Sequence, residues 1–203
     1  MNVAIVGATG YGGIQAVNLL KKNKNYNISF LGGNKTSGSK WNDNFPFIYL
    51  DTDPSIEKIS VENISNNSDV ALLCLPNGLS STLTRKLLDR GVKVIDLSAD
   101  YRYKSLDEWK KVYSKEAAIY KRNDDDLCKE AVYGLPEINK EAISKGRLIA
   151  CPGCYPTSAL IPLAPYLSQG IIENEGIVID SKSGTSGGGR EPNQKLLLSE
   201  CGE

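Results

Sequence analysis

The sequence predicts an α/β protein with a doubly wound parallel sheet, followed by the start of a second, α+β domain. Three observations carry this prediction. Short apolar runs alternate with segments whose apolar residues recur at helical spacing, the pattern of a parallel sheet covered by helices. A glycine-rich turn joins the first apolar run to the first helical segment. After residue 150 the alternation gives way to an apolar helical stretch and an open polar loop, which divides the chain into residues 1–150 and 151–203.

The elements follow in order. Asn2-Val-Ala-Ile-Val6 is a buried strand, and Ile14, Val17 and Leu20 set a helix over residues 14–22. Residues 28–31, 70–75 and 92–97 read as further strands, with a helix over 79–89 between the last two. From Gly32 to Asn67 the pattern weakens into Gly, Ser, Asn and Lys, so long loops are expected there, with short strands around Ile48 and Ile59. Residues 105–113 and 138–144 read as surface helices, Asp124-Asp-Asp126 as a solvated turn or helix start, and residues 147–150 as a strand. Beyond it come a helix over 158–167, a strand over 176–180 and the loop Ser181-Lys-Ser-Gly-Thr-Ser-Gly-Gly-Gly-Arg190.

Composition narrows the function. Lys+Arg and Asp+Glu each number 24, so no broad field draws the chain to nucleic acid or to an anionic membrane. Small polar ligands are the expected partners. No apolar run approaches the length of a membrane span, and Met1 leads straight into a strand pattern, so a cytoplasmic protein is expected. Five cysteines, irregularly spaced, read as thiols rather than as a disulfide framework.

Gly7-Ala-Thr-Gly10-Tyr-Gly-Gly13 follows a strand and opens a helix, the context of a Rossmann-type dinucleotide turn. Its glycines allow a tight turn and close approach of a pyrophosphate to the helix N-terminus, although an ordinary glycine-rich turn has the same composition. Gly7, Thr9, Gly10, Tyr11, Gly12 and Gly13 are the candidate cofactor residues, with Pro76 just past the third strand. The second strand ends in Leu31-Gly-Gly-Asn-Lys-Thr-Ser-Gly38, without the acid that holds a ribose 2′-hydroxyl. Lys35, Thr36 and Ser37 suit a 2′-phosphate, which favours NADP over NAD, while a solvated loop reads the same.

Cys154 lies in Cys151-Pro-Gly-Cys-Tyr-Pro-Thr157, where a strand pattern meets a helical one. A thiol in the first turn of a helix is activated by unpaired backbone N–H groups and the helix dipole. Cys154 is therefore the candidate nucleophile, in a chain without histidine. Cys151 and Cys154 also form a Cys-x-x-Cys, which leaves a thiol–disulfide oxidoreductase open, whereas the lack of a second ligand pair speaks against zinc or another metal. Cys74, inside an apolar run, reads as packing.

Three further clusters stand out. Asp96-Leu-Ser-Ala-Asp-Tyr-Arg102 leaves the C-terminal end of a strand, and Arg102 fits either an anion clamp or a surface ion pair. Tyr133-Gly-Leu-Pro-Glu137 either lines a site or caps the next helix. Arg190, after a run of glycines, is placed to reach an anionic group.

Together these stretches resemble the N-acetyl-gamma-glutamyl-phosphate reductases, NADP-dependent enzymes of arginine biosynthesis related to aspartate-semialdehyde dehydrogenase. The resemblance implies that Cys154 attacks an acyl phosphate, that Gly7, Gly10 and Gly13 bind NADP, and that the loop with Ser183, Gly184 and Gly187 lies beside nicotinamide and substrate. Tyr155, Arg102 and Arg190 are the expected substrate contacts, and a homo-oligomer is expected of the complete protein. Members of the family usually carry Asn where this chain has Cys151, and by the resemblance their histidine base lies beyond residue 203, so the sequence reads as an N-terminal portion. An NADP-binding regulatory module is the remaining alternative.

Overall fold

The computed structural model describes residues 1–191 and 193–201, and the chain divides into two compact units, Met1–Pro152 and Gly153–Glu203. The first unit opens with β1 (Asn2–Val6), α1 (Tyr11–Leu20) and β2 (Asn27–Gly32). It continues through α2 (Trp41–Asn44), a 3₁₀ turn (Pro46–Ile48), α3 (Val61–Asn67), β3 (Val70–Leu73), α4 (Ser81–Leu88) and β4 (Lys93–Asp96). Then come α5 (Leu106–Val112), α6 (Ser114–Ile119), α7 (Asp125–Glu130), β5 (Val132–Tyr133), α8 (Pro136–Lys145) and β6 (Leu148–Ala150).

The six strands form one sheet in the order β2-β1-β3-β4-β6-β5, and every pairing is parallel. Side chains of β1 alternate between two cores. Ala4 and Val6 pack with Leu73, Val94, Leu87, Trp109 and Leu148 on one face; Ile5 packs with Ile14, Val17, Leu31 and Trp41 on the other. Helices therefore cover both faces, as the near-continuous apolar strands require. The chain order reverses between β1 and β3, so the crevice at the C-terminal ends of those strands is where such sheets bind ligands.

Several expectations need correction. Ile48 lies in a 3₁₀ turn, not a strand, because the tilted rings of Trp41 and Phe45 pack at 4.4 Å and Trp41 Nε1 donates to Ile48 O, which curls the segment onto the core. Near Ile59 only single bridges form, Gly32 with Glu57 and Lys40 with Ser55, before α3 begins. α5 is no simple surface helix, since Leu106 and Trp109 are buried. Of the acidic run, Asp125 starts α7 as expected, but Asp124 is buried, accepting from Tyr101 Oη and ion-paired with Arg122.

In the second unit, α9 (Cys154–Ser168) is followed by 3₁₀ turns at Thr185–Gly188 and Gln194–Leu196 and by α10 (Leu198–Cys201). The expected strand over 176–180 does not form: among the described residues none pairs with it, and Val178 is 92% exposed. A strand needs a neighbour to take its backbone hydrogen bonds.

Candidate active site

The turn after β1 is built by backbone contact. Gly7 adopts φ +82°, and a Cβ there would lie 2.2 Å from Cys74 O, so the exits of β1 and β3 touch directly. The N–H groups of Gly7 and Ala8 both donate to Gly32 O at 2.9 Å, latching the turn to the end of β2. At Gly13 a Cβ would meet Gly7 O at 2.3 Å, so α1 can sit against the turn only as glycine. Gly10 and Gly12 differ, since the closest atom to a Cβ at either lies at 3.6 Å. Gly10 is the N-cap of α1 and brings no side-chain cap, and the first helical turn holds no acid. That terminus suits an anion. Thr9 is half-buried and Tyr11, the first residue of α1, is exposed.

Past β2, a Cβ on Gly33 would come within 2.8 Å of Thr36 Oγ1. That hydroxyl is shielded from solvent and has no hydrogen-bond partner, while Lys35 and Ser37 are exposed beside it. A buried hydroxyl without a partner is costly unless a ligand completes it. The end of β2 therefore fits the 2′-phosphate end of a dinucleotide as the glycine turn fits its pyrophosphate.

The exits of β3, β4 and β6 form the rest of this edge. Pro76 is exposed, and the following turn is tied to the loop after β4: Asn77 Oδ1 accepts from Ala99 N, and Asp100 accepts from Gly78 N at 2.5 Å and Ser81 N at 2.9 Å. Asp96, the last residue of β4, accepts from Ser98 N and Ser98 Oγ. Burial pushes its carboxyl up to about 6, with Asp100 adding to the rise. Arg102 is not a surface ion pair. Its Nε donates to Cys151 O at 2.8 Å and its Nη2 to Leu97 O at 3.0 Å, joining the exits of β4 and β6.

The cysteines separate by environment. Burial pushes the thiols of Cys74 up to about 12 and of Cys151 up to about 11, so both stay protonated at neutral pH. Cys151 N donates to Asp96 O at 2.8 Å, which makes this residue a continuation of the sheet edge. A half-buried, protonated thiol is a poor partner for thiol exchange.

Within the second unit, Cys154 is the first residue of α9 and is exposed. Gly153, extended at φ −72°, is its N-cap and supplies no capping side chain. Thr157 turns both its N–H and its hydroxyl back to Gly153 O, and Pro156 has no N–H, so the N–H groups of Cys154 and Tyr155 stand at a helix start without acid or cap. Such a place suits an oxyanion. Tyr155, Ser183, Gly184, Gly187 and Arg190 are exposed in this unit. The loop folds on itself, Gly187 lying so close that a Cβ would meet Ser183 Oγ at 2.3 Å, and Ser181 Oγ is 2.7 Å from Ser158 Oγ on α9.

Sequence reasoning missed Asp100, Asn77 and Arg122. The only hint was a second acid four residues after Asp96.

A sheet with a dinucleotide turn and a cysteine-led helix matches known families in both units. Residues 2–146 match the semialdehyde dehydrogenase NAD binding domain and residues 154–203 the semialdehyde dehydrogenase dimerisation domain. The chain belongs to the semialdehyde dehydrogenase family. It is 96% identical over all 203 residues to an N-acetyl-gamma-glutamyl-phosphate reductase of Prochlorococcus marinus strain MIT 9215, of which it covers 58%. It is 57% identical to the protein of that name in strain SARG, covering 56% of it, so it spans somewhat over half the length of these curated relatives. Among solved structures, aspartate semialdehyde dehydrogenase II of Vibrio cholerae, in complex with ASA, is similar with a TM-score of 0.56 at 24% identity. That match covers 82% of this chain and 46% of the other, and it shows the fold alone. In the described residues no helix is long and apolar enough to cross a membrane.

Proposed function

We propose that this chain carries the cofactor turn and the nucleophile of an NADP-dependent acyl-phosphate reductase. The reaction is reduction of N-acetyl-L-glutamyl 5-phosphate to N-acetyl-L-glutamate 5-semialdehyde and phosphate, a cytoplasmic step of arginine biosynthesis, by a homo-oligomer. One observation carries the reading: an exposed thiol, Cys154, leads an uncapped helix in a chain 96% identical to a curated reductase of that name.

Gly7, Gly10, Gly12 and Gly13, with Thr9 and Tyr11, hold the pyrophosphate at the start of α1; Lys35, Thr36 and Ser37 hold the 2′-phosphate. Pro76 and the loop bearing Ser183, Gly184 and Gly187 are assigned to the nicotinamide half. When bound, NADPH supplies a hydride. Cys154 Sγ attacks the acyl carbonyl, the bond from carbon to phosphate oxygen breaks, and a thioester forms. The N–H groups at the start of α9 stabilise the oxyanion of that step. Hydride from a bound NADPH would reduce the thioester carbon, after which the carbonyl would re-form as the aldehyde and the carbon–sulfur bond would break, Cys154 Sγ leaving with the electron pair as thiolate. Tyr155 and Arg190 are assigned to the substrate, and Arg102, with Nε and Nη2 committed to carbonyls, offers it at most a single-nitrogen contact.

The test is phosphate-dependent oxidation of the semialdehyde by the complete chain that contains this sequence. Cys154→Ser is expected to lower the rate by at least about a thousandfold, and Cys151→Ser by less than about threefold. Equal losses from both would favour dithiol chemistry instead.

A further inference from the structure

We propose that Asp100 is a positioning residue, holding the turn of residues 76–81 in the shape that receives the nicotinamide half of the cofactor. The inference rests on the dinucleotide reading above. With the pyrophosphate at α1 and the 2′-phosphate at the end of β2, the nicotinamide half must run to the opposite side of β1. There it meets the exits of β3 and β4, which are this turn and the loop of residues 97–102.

Within the turn itself the ties are Leu79 N to Pro76 O at 3.2 Å and Ser81 Oγ to Gly78 O at 2.8 Å. Ser80, at the N-cap position of α4, is buried and makes no capping bond. Asp100, twenty-two residues from Gly78, caps the helix instead, one carboxylate oxygen on Gly78 N and the other on Ser81 N. Asn77 adds a third tie through Ala99 N. Gly78 is fixed at φ +86°, and a Cβ there would strike the Tyr120 ring at 2.1 Å.

Asp100 is itself held from behind. Its N–H donates to Ser98 Oγ, which donates to Asp96, and its carbonyl accepts from Arg122 Nη1 at 2.6 Å. Arg122 lies over the rings of Tyr101 and Trp109 at 4.8 and 4.5 Å and is paired with Asp124, both side chains almost wholly buried. Sequestering this many charges from water is an inefficient way to stabilise a fold, because a local Ser or Asn caps a helix without that cost. What the arrangement gives is a fixed geometry, and the geometry it fixes is the cofactor-facing turn.

The test compares NADPH with 2′,5′-ADP, which carries only the half assigned to α1 and β2, using the complete chain. In Asp100→Asn an amide replaces one accepting oxygen. We expect the Kd and KM for NADPH to rise about tenfold, with kcat at saturating NADPH within about threefold and the Kd for 2′,5′-ADP within about twofold. Unchanged NADPH affinity with a lowered melting temperature would make Asp100 a structural cap and overturn the proposal, as would equal weakening of both nucleotides. If the unsubstituted chain binds neither nucleotide, the cofactor reading fails and takes the inference with it, before any variant is measured. Should Asp100→Asn not fold, Asn77→Ala cuts only the Ala99 tie; about threefold weaker NADPH binding with unchanged 2′,5′-ADP binding is expected, and no change overturns the proposal.

Discussion

The tripeptide Val-Ile-Asp occurs twice, at residues 94–96 and 178–180, with opposite outcomes. In β4 it lies between β3 and β6, Val94 and Asp96 are fully buried, and Asp96 ends the strand under the candidate site. In the second unit it pairs with no strand among the described residues, Val178 is 92% exposed, and Asp180 bonds the neighbouring Lys182 at 2.5 Å. The backbone preference of the three residues is the same. What differs is whether neighbours supply hydrogen bonds and apolar contacts, so strand formation here is a tertiary property.

A charge at the first copy removes what its neighbours supply. Val94→Asp buries an unpaired carboxylate in the centre of the sheet, and urea unfolding is expected to show a loss of about 4 kcal/mol or more, enough to unfold the unit. The buried carboxylate also makes the first copy sensitive to pH. The Asp96 carboxyl is raised to about 6 in the fold, above its unfolded value, so the fold favours the protonated form and loses stability as pH rises towards 6. Relative to Asp96→Asn, the unsubstituted chain should gain on the order of 2 kcal/mol between pH 7 and pH 4.5. A constant difference across that range would show that burial of Asp96 carries no such strain. The smallest effect belongs to the second copy: Val178→Asp in this 203-residue chain should change stability by less than about 0.5 kcal/mol.

The same contrast explains what could be read in advance. The glycine turn and the cysteine-led helix were legible because each is local: Gly7 and Gly13 are fixed by contacts at the adjoining strand exit and turn, and Cys154 by the Gly153 and Pro156 beside it. Between β2 and β3 the expected long loops form, but the 3₁₀ turn at Ile48 was not legible, because the packed rings of Trp41 and Phe45 shape it rather than any periodicity. Asp100 was invisible for a related reason, since its partners at Gly78 and Ser81 lie far away in sequence. Arg102 shows the limit of a local cue: an arginine after a strand fitted either an anion clamp or a surface ion pair, and its Nε and Nη2 close instead on two backbone carbonyls.

In the proposed mechanism Cys154, and not Cys151, forms the covalent intermediate. Incubating the complete chain with the semialdehyde and NADP⁺ but without phosphate should let the acyl-enzyme accumulate, because the acceptor of the acyl group is missing. Peptide mass spectrometry is expected to find the N-acetylglutamyl mass on the peptide bearing Cys154, at that sulfur. The same mass on Cys151, or no adduct while NADPH is produced, would show that Cys154 is not the nucleophile.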